Sequence, residues 1–97
     1  MVAKPRKDHP LLTLANIGPA MCADLEMLDI HSVAELALQD ADTLYRRLNV
    51  LSNKRHDPCV WDVFSAAIHQ AKTGEAKPWW LWTPERKRRH ATGEFRI

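Results

Sequence analysis

Asp57-Pro58-Cys59-Val60-Trp61-Asp62-Val63-Phe64-Ser65-Ala66-Ala67-Ile68-His69-Gln70-Ala71-Lys72-Thr73-Gly74 is the stretch that decides the fold. Asp57 offers a side-chain oxygen to the orphan amides of a helix start, and Pro58 suits a first turn where no N–H is needed. Gly74 tolerates the left-handed conformation that closes many helices. At 100° per residue, Val60, Trp61, Val63, Phe64, Ala67, Ile68 and Ala71 cover roughly half the circumference. That is wider than a helix resting on one neighbour needs. The pattern predicts a helix over about 58–73 at the centre of the domain, with Asp62, His69 and Thr73 on its solvated side.

Working towards the N-terminus, Asp40 is a good cap for a helix whose apolar stripe is Leu44, Leu48 and Leu51. Asp42 and Arg46 stand at the spacing of a favourable i,i+4 ion pair. Ser32-Val33-Ala34-Glu35 fits a capping box that opens a short helix through Leu38. Gly18-Pro19 starts another, with Met21, Cys22, Leu25 and Leu28 at helical spacing. Before it, Pro10, Leu11, Leu12 and Leu14 predict a first helix that stops at Asn16, a residue that accepts left-handed backbone. Gly18 is expected to be required by the turn between the two. No stretch is flanked like a β-hairpin, so the chain reads as all-α, with about five short helices bundled round one long central one.

Beyond Gly74 come Pro78 and the tryptophans Trp79, Trp80 and Trp82, of which at least two are expected to close the core against Trp61 and Phe64. Thr83-Pro84-Glu85 could open one more helix, but Arg86-Lys87-Arg88-Arg89-His90 has no apolar face. Such a helix is marginal in water. The organisation expected is therefore a flexible N-terminus over 1–9, a folded domain over 10–83 and a basic, loosely ordered tail over 84–97.

With 97 residues, 45% hydrophobic and 27% charged, the chain has room for one modest core and little for a deep catalytic cleft. The run Pro78 to Trp82 is too short to span a bilayer, and no apolar stretch follows the charges at the start, so a cytoplasmic protein without a membrane segment is expected. Cys22 and Cys59 lie on or beside apolar helical faces, without zinc-site spacing to each other or to a histidine. They read as buried thiols, and neither metal nor cofactor is expected. Ser65 lacks a nucleophile-elbow context, the His56-Asp57 pair is explained by capping, and Asp40 and Asp42 sit where helix starts favour acids. The chain does not read as an enzyme.

The charge is divided sharply. Between Asp8 and Tyr45 there are seven acids and no lysine or arginine, whereas from Arg46 onward eleven basic residues face five acids. A polyanion would be drawn to the second half.

The segment Leu11 to Pro19, with Asn16, Ile17, Gly18 and Pro19 at its turn, resembles a helix–hairpin–helix. Together with Asp24-Leu25, Ile30, Ser32-Val33, Glu35-Leu36 and Leu44-Tyr45, it is similar to the C-terminal domain of the competence regulator TfoX. Asp57-Pro58-Cys59-Val60, Val63-Phe64 and Trp79-Trp80-Leu81-Trp82 look closer still to a small bacterial family labelled helix–hairpin–helix, "pathogenicity locus" or "mitomycin resistance" proteins. The resemblance implies a helical domain whose hairpin amides face nucleic-acid phosphates. Two positions depart from it: Asn16 stands where hairpins usually have glycine, and Ala20 where DNA-binding ones often have lysine. With Asp24, Glu26 and Asp29 close by in sequence, the phosphate contacts are expected instead from Arg46, Arg47, Lys54, Arg55, Arg86, Lys87, Arg88 and Arg89. The leading expectation is a non-catalytic module that associates with nucleic acid, DNA being one candidate, irrespective of base sequence. The alternative is a protein-interaction adaptor that docks through the acidic helical face.

Overall fold

The computed structural model describes residues 9–93. Five α-helices follow in order: α1 (Pro19–Met27), α2 (Val33–Ala37), α3 (Ala41–Ser52), α4 (Cys59–Thr73) and α5 (Thr83–Ala91). Single 3-10 turns precede α1, at Pro10–Thr13, and α5, at Trp79–Trp82, and no strand occurs among the described residues. The fold is all-α, and α4 is its axis, touching α2, α3, the second 3-10 turn and α5. Trp61, Phe64, Ala67 and Ile68 of α4 are buried against Leu36, Leu44, Tyr45 and Leu48. Leu11, Leu14, Ile17, Cys22, Leu25 and Leu28 extend this core towards the N-terminal segment.

Local signals place the helix ends well where the partners lie a few residues away. Ser32 Oγ accepts from the Glu35 amide and donates to the Glu35 carboxylate, while the His31 amide reaches the same carboxylate. Asp40 accepts from the Thr43 amide at 3.0 Å. Asp57 accepts from the Cys59 amide at 2.8 Å, and Gly74 closes α4 in the left-handed region at φ 78°.

Several expectations differ from what the structure shows. The first helix is only the 3-10 turn Pro10–Thr13, and Asn16 is not left-handed; Asp29 (φ 66°) and Asn53 (φ 52°) are, after α1 and α3. Gly18 caps α1 with ordinary extended backbone (φ −94°, ψ −179°), and a Cβ there would meet nothing within 4 Å. The turn therefore does not depend on its being glycine. Asp42 forms its ion pair with Arg89 (2.6 Å) rather than Arg46, and it also accepts the Trp61 indole N–H at 2.6 Å.

Another difference concerns the tail. Residues 84–91 lie within α5 instead of hanging loosely, and residues 94–97 lie outside the described residues, as does most of the expected flexible segment 1–9. An apolar face does not hold this helix. Arg86 Nε donates to Asp62 at 2.8 Å, the Thr83 hydroxyl donates to the other Asp62 oxygen at 2.6 Å, and Asp62 has no exposed surface. Arg89 reaches Asp42 with both terminal nitrogens and lies 5.4 Å from the Trp61 ring centre. Asp62, expected on the solvated side of α4, is the buried socket for α5.

Candidate nucleic-acid interface

The basic residues fall into two groups. Arg86 and Arg89 point inward and are committed to Asp62 and Asp42. Arg46 on α3, Lys54 and Arg55 in the loop after it, and Lys87 on α5 are exposed, and none of their side chains makes a hydrogen bond or ion pair among the described residues. Arg47 is exposed but donates to the Leu28 carbonyl at 3.0 Å, which ties α3 to the end of α1. Arg88 forms a surface pair with Glu85 through two nitrogens. Lys54 lies near enough to Asp24 to help hold its carboxyl down, although burial, the larger influence, raises it. On α3, Arg46 and Arg47 border the exposed apolar residues Val50 and Leu51.

The residues at the expected hairpin have distinct tasks. Ile17 is buried in the core, Pro19 opens α1 and Gly18 caps it. Asn16 acts through its side chain: Nδ2 donates to the Lys77 carbonyl at 2.8 Å, and Oδ1 accepts the Trp79 amide at 3.1 Å. Gln70 of α4 accepts the neighbouring Ala15 amide at 2.9 Å. These bonds clamp the turn before α1 to the segment that leads into the tryptophans, and an open groove of about 620 Å³ lies between them. Of the tryptophans, Trp82 packs on the core, while Trp80 is 59% exposed and lines the groove with half-buried Trp79. Where at least two of the three are expected to close the core, Trp82 alone packs against it, and it is partly buried.

Other polar groups are engaged structurally. Burial, and then the Glu26 charge, push the Cys22 thiol up; at Cys59 the bond to Asp57 does so first, followed by burial. Both sulfurs are thus held as thiols, the less nucleophilic form. His9, Glu26, His31 and Asp29 form a continuous chain of contacts, with Glu26 between the two imidazoles. Hydrogen bonds to Asp29 and Glu26 raise the pKa of His31, and the bond to His9 is the main influence lowering that of Glu26. His69 meets Glu75 at 2.9 Å and the Trp82 ring at 5.4 Å. Among the described residues no group of three or more His, Cys, Asp or Glu side chains is placed to hold a metal ion, and no helix is long and apolar enough to cross a membrane.

Sequence reasoning passed over Gln70, Lys77 and the amide of Asn16 as site-building residues. Their partners lie more than fifty positions away, and no local pattern announces them.

Residues 6–88, covering the 3-10 turns and nearly all of the five helices, match the family described as Pathogenicity locus. The chain belongs to that family. It is also 40% identical over 78 residues to the mitomycin resistance protein McrB of Streptomyces lavendulae, covering 80% of this chain and 74% of that protein. No solved structure matches it. Within the Pathogenicity locus match lie both the clamp at Asn16 and the sockets Asp42 and Asp62.

Proposed function

We propose that this chain is a non-catalytic, cytoplasmic helix–hairpin–helix module, akin to the TfoX C-terminal domain, that associates with nucleic acid through backbone phosphates. The observation that carries the reading is the set of exposed cations Arg46, Lys54, Arg55 and Lys87, whose side chains form no ion pair among the described residues, although Lys54 lies near Asp24. Such charges attract a polyanion irrespective of base sequence. Arg86 and Arg89 drop out of the contact set, because drawing them onto phosphates would strip Asp62 and Asp42 of their partners.

The test is salt dependence. About four phosphate contacts give a slope of log K against log salt of roughly −3 to −4 on duplex DNA. Replacing Lys54 and Arg55 with alanine flattens that slope by about 2 and weakens all sequences alike. Absence of binding at low salt removes this reading.

One observation favours a protein-interaction adaptor instead. Leu38, just after α2, is 85% exposed beside Gln39 and the acidic Asp40 and one turn from Glu35. On that reading, Leu38→Asp abolishes a defined partner contact that nuclease treatment leaves intact.

A further inference from the structure

The groove beside the Asn16 clamp is lined on one side by Ala15 to Gly18 and on the other by Ala76 to Trp80. Its volume, about 620 Å³, lies in the range of small-ligand sites, about 300–1,000 Å³. The walls are fixed without a ligand. Asn16 bonds to the Lys77 carbonyl and the Trp79 amide, and Gln70 bonds to the Ala15 amide. An occupant therefore does not have to order the loops that receive it.

The aromatic geometry narrows what that occupant is. The Trp79 and Trp80 rings meet at 81° with their centres 5.8 Å apart, forming an L-shaped corner. Trp80 leaves more than half of its surface in water, whereas Trp61 is buried and Trp82 rests on the core. A flat ring laid on Trp80 would meet Trp79 at its edge, the arrangement aromatic quadrupoles favour. Asn16 retains one amide hydrogen and one carbonyl lone pair beyond the bonds it makes, a donor–acceptor pair suited to the edge of a heterocycle. Lys77 brings an ammonium group to the rim, held 3.3 Å from Glu75 and partly exposed.

We propose that this groove holds one unpaired nucleobase stacked on Trp80, with Lys77 beside the adjoining phosphate, so that the protein prefers single-stranded to duplex nucleic acid. The inference rests on the nucleic-acid reading above and specifies its strand class. In a duplex both faces of a base are covered by its neighbours, so a base reaches Trp80 only where stacking is already broken. Every base offers a π-face, so such a site tolerates sequence.

The experiment compares the full chain with Trp80→Ala and Trp80→Phe, titrated with a short oligothymidylate and with a duplex of the same length over a salt series. Wild type is expected to bind the single strand more tightly. Trp80→Ala is expected to weaken that binding by about 5- to 150-fold, the range for one base stacked on an aromatic ring. Trp80→Phe should recover most of the loss. Neither variant should alter the salt slope or duplex affinity, since no charge is removed. Circular dichroism verifies that both variants fold, as expected for so exposed a side chain. If Trp80→Ala binds the single strand like wild type while Lys54→Ala with Arg55→Ala weakens it, the base site is wrong and the phosphate reading stands. Equal or tighter binding of the duplex by wild type also overturns the inference. If neither probe binds wild type at low salt, both readings fall together.

Discussion

Arg86→Ala should be among the most damaging single changes in the helical tail, although its sequence context suggests a solvated arginine. The Asp62 carboxylate is fully buried, with one oxygen facing the Arg86 guanidinium at 2.8 Å and the other the Thr83 hydroxyl at 2.6 Å. Removing the guanidinium leaves a charge in dry surroundings with one neutral donor. Breaking a buried pair in this way costs about 3–5 kcal/mol. Domains of this size have total stabilities of about 5–15 kcal/mol, so a large part of the margin disappears. At about 4–8 °C per kcal/mol, the melting midpoint falls by roughly 12–40 °C. Equilibrium urea unfolding followed by tryptophan fluorescence and circular dichroism measures the loss. Arg88→Ala is the matched control, because its pair with Glu85 is about half exposed on both sides, and such pairs contribute about 0–1 kcal/mol. Replacing both partners, Asp62→Leu with Arg86→Met, removes the stranded charge and should recover most of the stability. A loss below about 1 kcal/mol in Arg86→Ala, or a double variant no more stable than the single one, refutes the argument that Asp62 is a charged socket.

Two further perturbations separate the structure from a reading of sequence alone. Gly18→Ala should change stability by no more than about 0.5 kcal/mol, because its backbone is ordinary and its surroundings open. Gly74→Ala should cost about 1–2 kcal/mol, because φ there is 78°; parallel melting curves check both, and reversed ranks would contradict the turn geometry. Hydrogen bonds to Asp29 first and Glu26 second raise the folded-state pKa of His31 above 6.5, so their contribution is complete below pH 6.5 and is lost as pH rises through the folded value. Glu26 is lowered below 4.5, so its contribution is complete above pH 4.5 and fades as pH falls through its folded value. The chain of contacts His9–Glu26–His31–Asp29 is therefore fullest between those limits, and His31→Gln should flatten the decline of the melting midpoint above pH 6.5; an unchanged pH profile counts against it.

What was legible in the sequence depended on distance along the chain. The caps at Ser32, Asp40 and Asp57 and the stop at Gly74 were readable because each bonds within four residues. The central place of α4 was readable because a half-circumference apolar face needs several neighbours. Asp42 was misassigned to Arg46 because helical spacing shows only the near candidate, whereas Arg89 lies 47 positions on and brings a two-pronged contact. The tail was misread for the same reason: α5 has no apolar stripe, and its anchors, Asp62 and Asp42, lie in other helices. Asn16 followed its common backbone habit on paper, but in the structure its side chain is used at both ends. The groove is held together by such distant pairings, so the sequence marks Asn16 to Gly18 as a turn and Trp79 and Trp80 as aromatic without showing that they face each other.

The clamp at Asn16 also sets a timetable for the growing polypeptide. Its partners, the Lys77 carbonyl and the Trp79 amide, lie 61 and 63 positions downstream. At about 5–20 residues per second, a ribosome needs roughly 3–13 s after adding Asn16 before either is made. Gln70, which holds the adjacent amide, arrives only shortly earlier. During that interval Leu11, Leu14 and Ile17 have no finished core to enter. The earliest-made part of the domain is thus among the last to settle, and a nascent chain halted before Pro78 presents an unlatched, apolar front to whatever attends the exit site.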